Sequence, residues 1–279
     1  MSSGIHFVKM PDEEFIRESI DIVKKAQDNG LVLRILGGVA VYIHTMDKPE
    51  NLKIYERLRR FGEGNPTFTD LDLIGYSKQI SKVEKFFERK LGFKPDFYIN
   101  RIIGQRRLLF YHPKDYYHVD IFFDKLEFCH DVVFGSKPGK GRLELDFPTV
   151  SPADIVLEKL QIHEINLKDV IDLIVLFAFH EVKDTYERDV IDGGYIASIL
   201  CDDWGFWYDA VTNLNKVKLL AEKFHNEGKL LDHEYNAVIN NIDKLNRIIE
   251  ETPKTKRWQK RAKMGTRKKW WRDVEEVSR

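Results

Sequence analysis

Three aspartates draw attention because they lie inside apolar segments. Asp70 and Asp72 belong to the stretch 68–74, and Asp120 belongs to a second apolar stretch, 118–123. If both stretches are strands, alternation places Asp70 and Asp72 on one face, and Asp120 can lie beside them. Carboxylates crowded among apolar side chains repel one another and lose solvation unless a cation joins them. Magnesium prefers such hard oxygen ligands and is often completed by substrate phosphates, so the pattern predicts a magnesium site.

A pair of glycines supplies a second part of the same chemistry. Gly37 and Gly38 follow the apolar stretch 31–36 and precede a helix-like segment, 39–43. A strand followed by two residues without side chains lets a phosphate approach backbone N–H groups at a helix N-terminus. Each feature alone has a plainer interpretation: a tight turn for the glycines, an exposed polar face for the Asp-x-Asp motif, a strand-edge charge for the third aspartate. Their order along the chain favours a joint metal and phosphate site.

The motifs, taken in this order, resemble those of the nucleotidyltransferase superfamily, which has the polymerase-beta-like fold. Within it, the chain is similar to the branch that contains toxins of the AbiEii kind. The resemblance covers roughly residues 31–176 and rests on these motifs: Gly37-Gly38-Val39-Ala40, Asp70-Leu71-Asp72-Leu73, Val119-Asp120-Ile121, Glu158-Lys159-Leu160-Gln161 and Lys168-Asp169-Val170-Ile171-Asp172-Leu173. One departure from the family pattern is the long interval between the glycines and Asp70, which includes a charged segment at 55–64.

The resemblance implies a two-metal site. Asp70 and Asp72 would bind two magnesium ions, with manganese as an alternative metal, and Asp120 would join them. All three would be catalytic residues, together with Lys159. In such a site three acids and no dedicated nucleophile are sufficient for nucleotidyl transfer.

The resemblance also implies how a nucleoside triphosphate would bind. Gly37 and Gly38 would bracket the triphosphate, and the fourth motif of the toxin branch adds Lys159 and Asp169 near the nucleotide. A solvated Lys159 and an Asp169 that merely favours the first turn of its helix are the structural alternatives.

The implied reaction transfers a nucleoside monophosphate from an NTP to an acceptor hydroxyl, and pyrophosphate leaves. The acceptor stays open: an RNA end such as that of tRNA, a protein hydroxyl, or a small molecule such as an aminoglycoside antibiotic. The alternative from another functional class is a catalytically silent nucleotide- or RNA-binding module of the same fold. It would suit one half of a toxin–antitoxin pair, with an antitoxin protein as partner.

The rest of the sequence predicts the elements that position these residues. Residues 11–28 carry apolar side chains at helical spacing and end at an Asn-Gly stop, which predicts a leading helix. Residues 77–91 predict a second helix, and 106–111 predict a strand that turns at 112–115 into the strand of Asp120. The predicted fold class is α/β (α+β), a mixed sheet flanked by helices and followed by a helical bundle.

Two further predictions concern strand residues. Arg34 interrupts the first apolar strand and is expected on its surface, with contact to a phosphate as the alternative. The alternating stretch 142–147 predicts another short strand.

Histidines near the third aspartate offer a different metal. His118 and Asp120 share one face of a strand, and two imidazoles with a carboxylate could hold zinc or manganese. The plainer interpretation places His112 in a turn and Cys129 and His130 at the end of a loop or strand.

The C-terminal half reads as helical. Ser151 can cap a helix that begins at Pro152, and 168–179 predicts a second helix. Three later stretches have helical spacing: 186–200, 204–224 and 231–249, with Gly193-Gly194 as a turn between helices. The predicted domains are a nucleotidyltransferase-like domain at 1–150, a helical domain at 151–252 and a basic tail at 253–279.

The tail differs from the rest of the chain. Between 253 and 272 it carries many Lys and Arg residues, three tryptophans and no acid, a composition that suits RNA through phosphate attraction and base stacking. The alternative is that its tryptophans pack back onto the helical domain. An aromatic cluster near Trp204 is likewise predicted as core, with base stacking as the alternative.

Composition bounds the location and the partners. Lys plus Arg equals Asp plus Glu at 45 each, so any site for a polyanion must arise from local clustering. The two cysteines form no disulfide framework and favour a reducing cytosol, and no apolar stretch reaches membrane-spanning length. The sequence therefore predicts a cytoplasmic protein without a membrane partner.

Overall fold

The computed structural model describes residues 10–46, 49–58, 60, 68 and 70–274. Part of the charged segment 55–64 and the tail residues 275–279 lie outside the described residues.

A five-stranded mixed sheet carries the three aspartates. Its strands, in spatial order, are β1 (Leu33–Ile35), β2 (Asp70–Gly75), β5 (His118–Phe123), β4 (Arg107–Tyr111) and β3 (Lys94–Pro95). β2 and β5 run parallel, and the other neighbouring strands run antiparallel. The expectation of a mixed sheet with a hairpin leading into Asp120 is confirmed.

Two pairs of short strands complete the described β-structure: β6 (Lys125–Glu127) with β7 (Asp131–Val133), and β8 (Val182–Lys183) with β9 (Ile191–Asp192). The α-helices are α1 (Asp12–Asp28), α2 (Gly37–Thr45), α3 (Pro49–Leu58), α4 (Ile80–Lys85), α5 (Phe97–Ile103), α6 (Pro152–Leu160), α7 (Leu167–Phe179), α8 (Gly193–Leu200), α9 (Trp204–Asn226), α10 (Asp232–Glu251) and α11 (Lys256–Ala262). The fold is therefore mixed α/β, as the sequence predicts.

Local sequence explains the two helices that frame the site. α2 begins directly at the glycine pair, where the chain leaves β1. α6 begins at Pro152, and the Ser151 hydroxyl accepts a hydrogen bond from the backbone N–H of Asp154, as its predicted cap role requires. α7 packs against both α2 and α10, so the hydrophobic core is continuous from the sheet into the C-terminal helices.

Three of the predictions about local structure are wrong. Arg34 is buried, because its guanidinium donates hydrogen bonds to the backbone oxygens of Asp146 and Leu33. Residues 142–147 form bends and turns, and the backbone N–H of Arg142 donates to the Phe134 carbonyl oxygen. Gly193 and its neighbour start α8, whose N-terminus Asp192 caps, so the stretch 186–200 is helical only in its second half.

Candidate active site

Asp72 and Asp120 lie opposite each other on neighbouring strands. The register of β2 and β5 pairs Asp72 with Asp120 and pairs Asp70 with His118. All four therefore project from the same face of the sheet. The residues between them, such as Leu71 and Val119, are fully buried on the other face, which fixes the register. The structure thus brings the three predicted aspartates together on one face.

The glycine pair lies directly beside this face. The backbone N–H of Leu36 donates to the carbonyl oxygen of Asp72 at 2.9 Å, which joins the end of β1 to β2. Gly37 has a φ of +66°, and a Cβ atom there would lie 3.1 Å from the Asp72 carboxylate. A positive φ and this close approach both favour glycine. Gly37 therefore brings the N-terminus of α2 against Asp72.

Glu158 is a site residue to which the sequence assigns no role. Its carboxylate accepts a hydrogen bond from the backbone N–H of Gly37 at 3.2 Å. Burial raises the pKa of Glu158 to about 7, against the lowering effects of Lys159 and the Gly37 N–H. The one feature of the sequence that could have indicated this residue is its position beside Lys159 in the fourth motif.

The electrostatics of the face fit a hard cation. Burial raises the pKa of Asp72 well above its usual range, and the neighbouring Asp70, Asp120 and Glu158 raise it further. Lys159 acts to lower this pKa, but its effect does not outweigh burial and the acidic neighbours. A cation bound at Asp72 would favour the ionised carboxylate. Carboxylate oxygens are the donors that magnesium prefers.

Asp120 has cationic neighbours of its own. The Arg107 guanidinium donates to one carboxylate oxygen at 2.9 Å, and Nε2 of His118 lies 3.6 Å from the other. Burial acts to raise the pKa of Asp120, but His118 and Arg107 outweigh it, so this pKa lies below its usual value. Asp120 is thus held ionised beside Asp72.

Lys159 is buried among carboxylates. Its ammonium lies 2.7 Å from Asp169, 3.3 Å from Asp172 and 3.9 Å from Glu158. Burial acts to lower the pKa of Lys159, but Asp169, Asp172 and Glu158 raise it above its usual value. The structure therefore joins Lys159 and Asp169 as an ion pair, and the solvated alternative for Lys159 is wrong.

Asp172 links this ion pair to Arg60. The Arg60 guanidinium donates two hydrogen bonds to the fully buried Asp172 carboxylate, at 2.8 and 2.9 Å. A Cβ atom on Gly38 would lie 2.7 Å from Nη2 of Arg60. Sequence reasoning missed Arg60, since it lies in the charged segment 55–64 and no motif marks it.

A tighter group of potential ligand atoms lies elsewhere. Among the described residues, the one group of three with ligand atoms within 4.8 Å of one another is His44, Asp146 and Asp189. Nε2 of His44 also lies within hydrogen-bond distance of Thr149 Oγ1 (2.8 Å) and the Val150 carbonyl (3.1 Å). These contacts are those of a structural histidine that ties α2 to the segment before α6.

The other histidines considered as metal ligands are dispersed. Nε2 of His112 lies 3.2 Å from a Glu18 carboxylate oxygen, and Nε2 of His130 lies 2.8 Å from an Asp209 carboxylate oxygen. His118 is the one that contacts the candidate site, through Asp120.

The tail folds back onto the protein. The Trp270 indole donates to Asp209 at 2.9 Å, and Trp271 stacks on His163 with ring centroids 3.7 Å apart. Trp204 is buried and meets Trp270 edge to face, so the aromatic cluster is core, as predicted. Many cations of the tail stay exposed: Lys256, Arg257, Lys260, Lys263, Arg267, Lys268, Lys269 and Arg272.

In the part of the chain that the structure describes, no helix combines the length and apolarity that crossing a membrane requires.

Comparisons of the chain with models of protein families, with curated proteins and with solved structures each find no match.

Proposed function

We propose that the protein is a metal-dependent nucleotidyltransferase. The observation that carries this proposal is the placement of Asp70, Asp72 and Asp120 on one face of β2 and β5, beside the N-terminus of α2 at Gly37. This arrangement brings carboxylates for a divalent cation next to backbone N–H groups for a phosphate. The resemblance of the motifs to the nucleotidyltransferase superfamily supports the same conclusion.

The three aspartates would hold magnesium as two ions, and manganese also suits an all-oxygen site. Magnesium held by these carboxylates would neutralise charge on the phosphoryl oxygens and would favour ionisation of the acceptor hydroxyl. Asp120 helps to activate that hydroxyl. The acceptor hydroxyl loses its proton to solvent, its oxygen forms a bond to the α-phosphorus, the bond from that phosphorus to the bridging oxygen of the β-phosphate breaks, and pyrophosphate leaves with the electron pair.

Gly37 and Gly38 position the triphosphate of the NTP. The Gly37 N–H already donates a hydrogen bond to a carboxyl oxygen of Glu158, so an oxygen acceptor fits at this position. Lys159 pairs with Asp169 and contacts Asp172, and a Cβ atom on Gly38 would lie 3.6 Å from the Asp172 carboxylate, so Lys159 and Asp169 would balance charge near the nucleotide.

The acceptor we favour is RNA, including tRNA, through the exposed cations of residues 253–272. Lys256, Lys260 and Lys263 have no described carboxylate within ion-pair distance, so their charge is available to phosphates. A protein hydroxyl and a small antibiotic are the competing acceptors. Cys129 and Cys201 are both free thiols, which supports a cytoplasmic location.

A catalytically silent nucleotide- or RNA-binding module, paired with an antitoxin protein, is the second candidate. The observation that favours it is that Arg107 and His118 already engage Asp120, which would compete with a metal ion for its oxygens.

One assay separates these possibilities. The wild type and the Asp70→Asn plus Asp72→Asn variant are incubated with magnesium, each α-labelled NTP and total RNA, and label is followed on gels. We expect label in one RNA species with the wild type alone. Label on the protein would identify protein nucleotidylation. Equal label with both proteins, or RNA binding with no label on RNA, protein or antibiotic, would reject the enzyme and favour the silent module. Labelled antibiotic in a parallel reaction would reassign the acceptor.

A further inference from the structure

We propose that Arg60 binds the triphosphate of the nucleotide, and that Asp172 and Lys159 position it. This inference rests on the proposed function and deepens it, because it assigns the phosphate-binding side chain of the same site. Neither a motif nor the resemblance points to this residue, since Arg60 lies in the segment where the chain departs from the family pattern.

The location of the guanidinium carries the inference. A Cβ atom on Gly38 would lie 2.7 Å from Nη2 of Arg60, whereas one on Gly37 would lie 3.1 Å from Asp72. Consecutive Cα atoms are about 3.8 Å apart, so a cation and a candidate metal ligand flank the glycine pair from adjacent positions. A triphosphate bound at the glycine pair would therefore have the Asp72 carboxylate beside Gly37 and the Arg60 guanidinium beside Gly38.

The anchor of Arg60 is rigid. Asp172 is fully buried and accepts two hydrogen bonds from the guanidinium, at 2.8 and 2.9 Å, which fixes its orientation. The planar fork of arginine suits phosphate oxygens as well as carboxylates. Such an arrangement can hold a phosphate without first ordering a flexible side chain.

Lys159 is less well placed for direct phosphate contact. It lies within ion-pair distance of Asp169, Asp172 and Glu158, so its charge is committed to three carboxylates. Its contact with Asp172 holds that carboxylate in place for Arg60. We therefore assign Lys159 as a positioning residue and Arg60 as the group that meets the phosphates.

The chain offers a matched control. Arg57 also forms a bidentate pair with a buried carboxylate, at 3.1 and 2.6 Å from the two oxygens of Glu234. Its replacement removes the same kind of contact from the same segment, and that contact involves α10 instead of the glycine pair.

The test measures binding, by titration calorimetry with magnesium, of each NTP and of inorganic tripolyphosphate. We expect Arg60→Gln to weaken the best-bound NTP and tripolyphosphate by about tenfold or more. Arg60→Lys, which keeps the charge beside Asp172 but loses the fork, should weaken both severalfold, and Arg57→Gln should bind like the wild type. If Arg60→Gln does not fold by circular dichroism, the comparison of Arg60→Lys with Arg57→Lys gives the answer.

The outcomes separate this inference from the proposed function. If the wild type binds NTP and both Arg60 variants bind equally well, Arg60 has no phosphate role and the nucleotidyltransferase proposal stands. If Arg57 and Arg60 variants weaken binding equally, the effect is a general loss of structure and the inference fails. If the wild type binds neither NTP nor tripolyphosphate, the proposed function fails and this inference fails with it.

Discussion

Arg57 and Arg60 lie three positions apart, and each forms a bidentate ion pair with a buried carboxylate of a different helix in the C-terminal half. Arg57 contacts Glu234 near the start of α10, and Arg60 contacts Asp172 within α7. The segment between the glycine pair and β2 is therefore tied to the helices that close the core. The same segment carries the cation nearest to Gly38.

Replacing Glu158 with Gln should stabilise the fold at alkaline pH. Burial raises the pKa of Glu158 to about 7, whereas the pKa of a glutamate in an unfolded chain is about 4.3. The folded protein thus holds this proton more tightly than the unfolded chain, so the resulting stability is full below the unfolded pKa and is lost as pH rises through about 7. The glutamine variant does not titrate. Relative to wild type, we expect the free energy of unfolding of this variant to rise by about 1–3 kcal/mol between about pH 5 and about pH 8.

Urea unfolding of wild type and variant across this pH range measures the difference. Glu164→Gln is the control for the loss of one carboxylate, because Glu164 is exposed and lies on the loop after α6. A Glu158→Gln effect that stays constant from about pH 5 to about pH 8 would mean that Glu158 is ionised throughout.

The glycine pair can be tested with alanine, because each position faces a different obstacle. Gly37→Ala adds a side chain at positive φ, which costs about 1–2 kcal/mol, and places Cβ 3.1 Å from the Asp72 carboxylate. Gly38→Ala would push a methyl group against Arg60 at 2.7 Å. We expect both variants to weaken NTP binding by about tenfold or more, because each displaces a group at the proposed site.

Gly30 separates backbone strain from loss of the site. It also has a positive φ, +71°, but a Cβ atom there meets nothing within 4 Å. Gly30→Ala should therefore lower the free energy of unfolding by an amount similar to Gly37→Ala, about 1–2 kcal/mol, while NTP affinity stays at the wild-type value. If Gly30→Ala and Gly37→Ala weaken NTP binding alike, strain and not the site accounts for the effect.

Sequence patterns predicted the parts of the site that depend on local rules. Alternation puts Asp70 and Asp72 on one face and lets Asp120 lie beside them, as it does, and Ser151 and Pro152 mark the start of α6. Register between the two strands follows from burial of the opposite face.

Contacts between distant segments were beyond those rules. Arg60 meets Asp172 across 112 positions of the chain, and Glu158 meets Gly37 across 121. Neither spacing corresponds to a helix or strand period, so only tertiary packing reveals them. The burial of Arg34 was not predicted for the same reason. Its partner Asp146 lies in a bend, where the sequence pattern predicted a strand.

The tail provides the test for the acceptor. Its tryptophans are engaged in packing, as Trp270 on Asp209 and Trp271 on His163 show, so base stacking by these rings is restricted and phosphate attraction must supply most of the affinity for RNA. Neutralising exposed lysines should therefore weaken RNA binding without disturbing the fold. The triple variant replaces Lys256, Lys260 and Lys263 with Gln.

We expect this variant to bind total RNA more weakly at about 0.1 M salt and to reduce the slope of log affinity against log salt by about 2, if each lysine contacts one phosphate. The control replaces Lys78, Lys82 and Lys85, three exposed lysines around α4, and has the same change of net charge. Because both variants lose three charges, a general effect of protein charge would lower the two slopes equally, whereas a specific surface on the tail lowers only the first. Equal slopes would place the polyanion contact elsewhere and remove the main reason for favouring RNA over a protein or small-molecule acceptor.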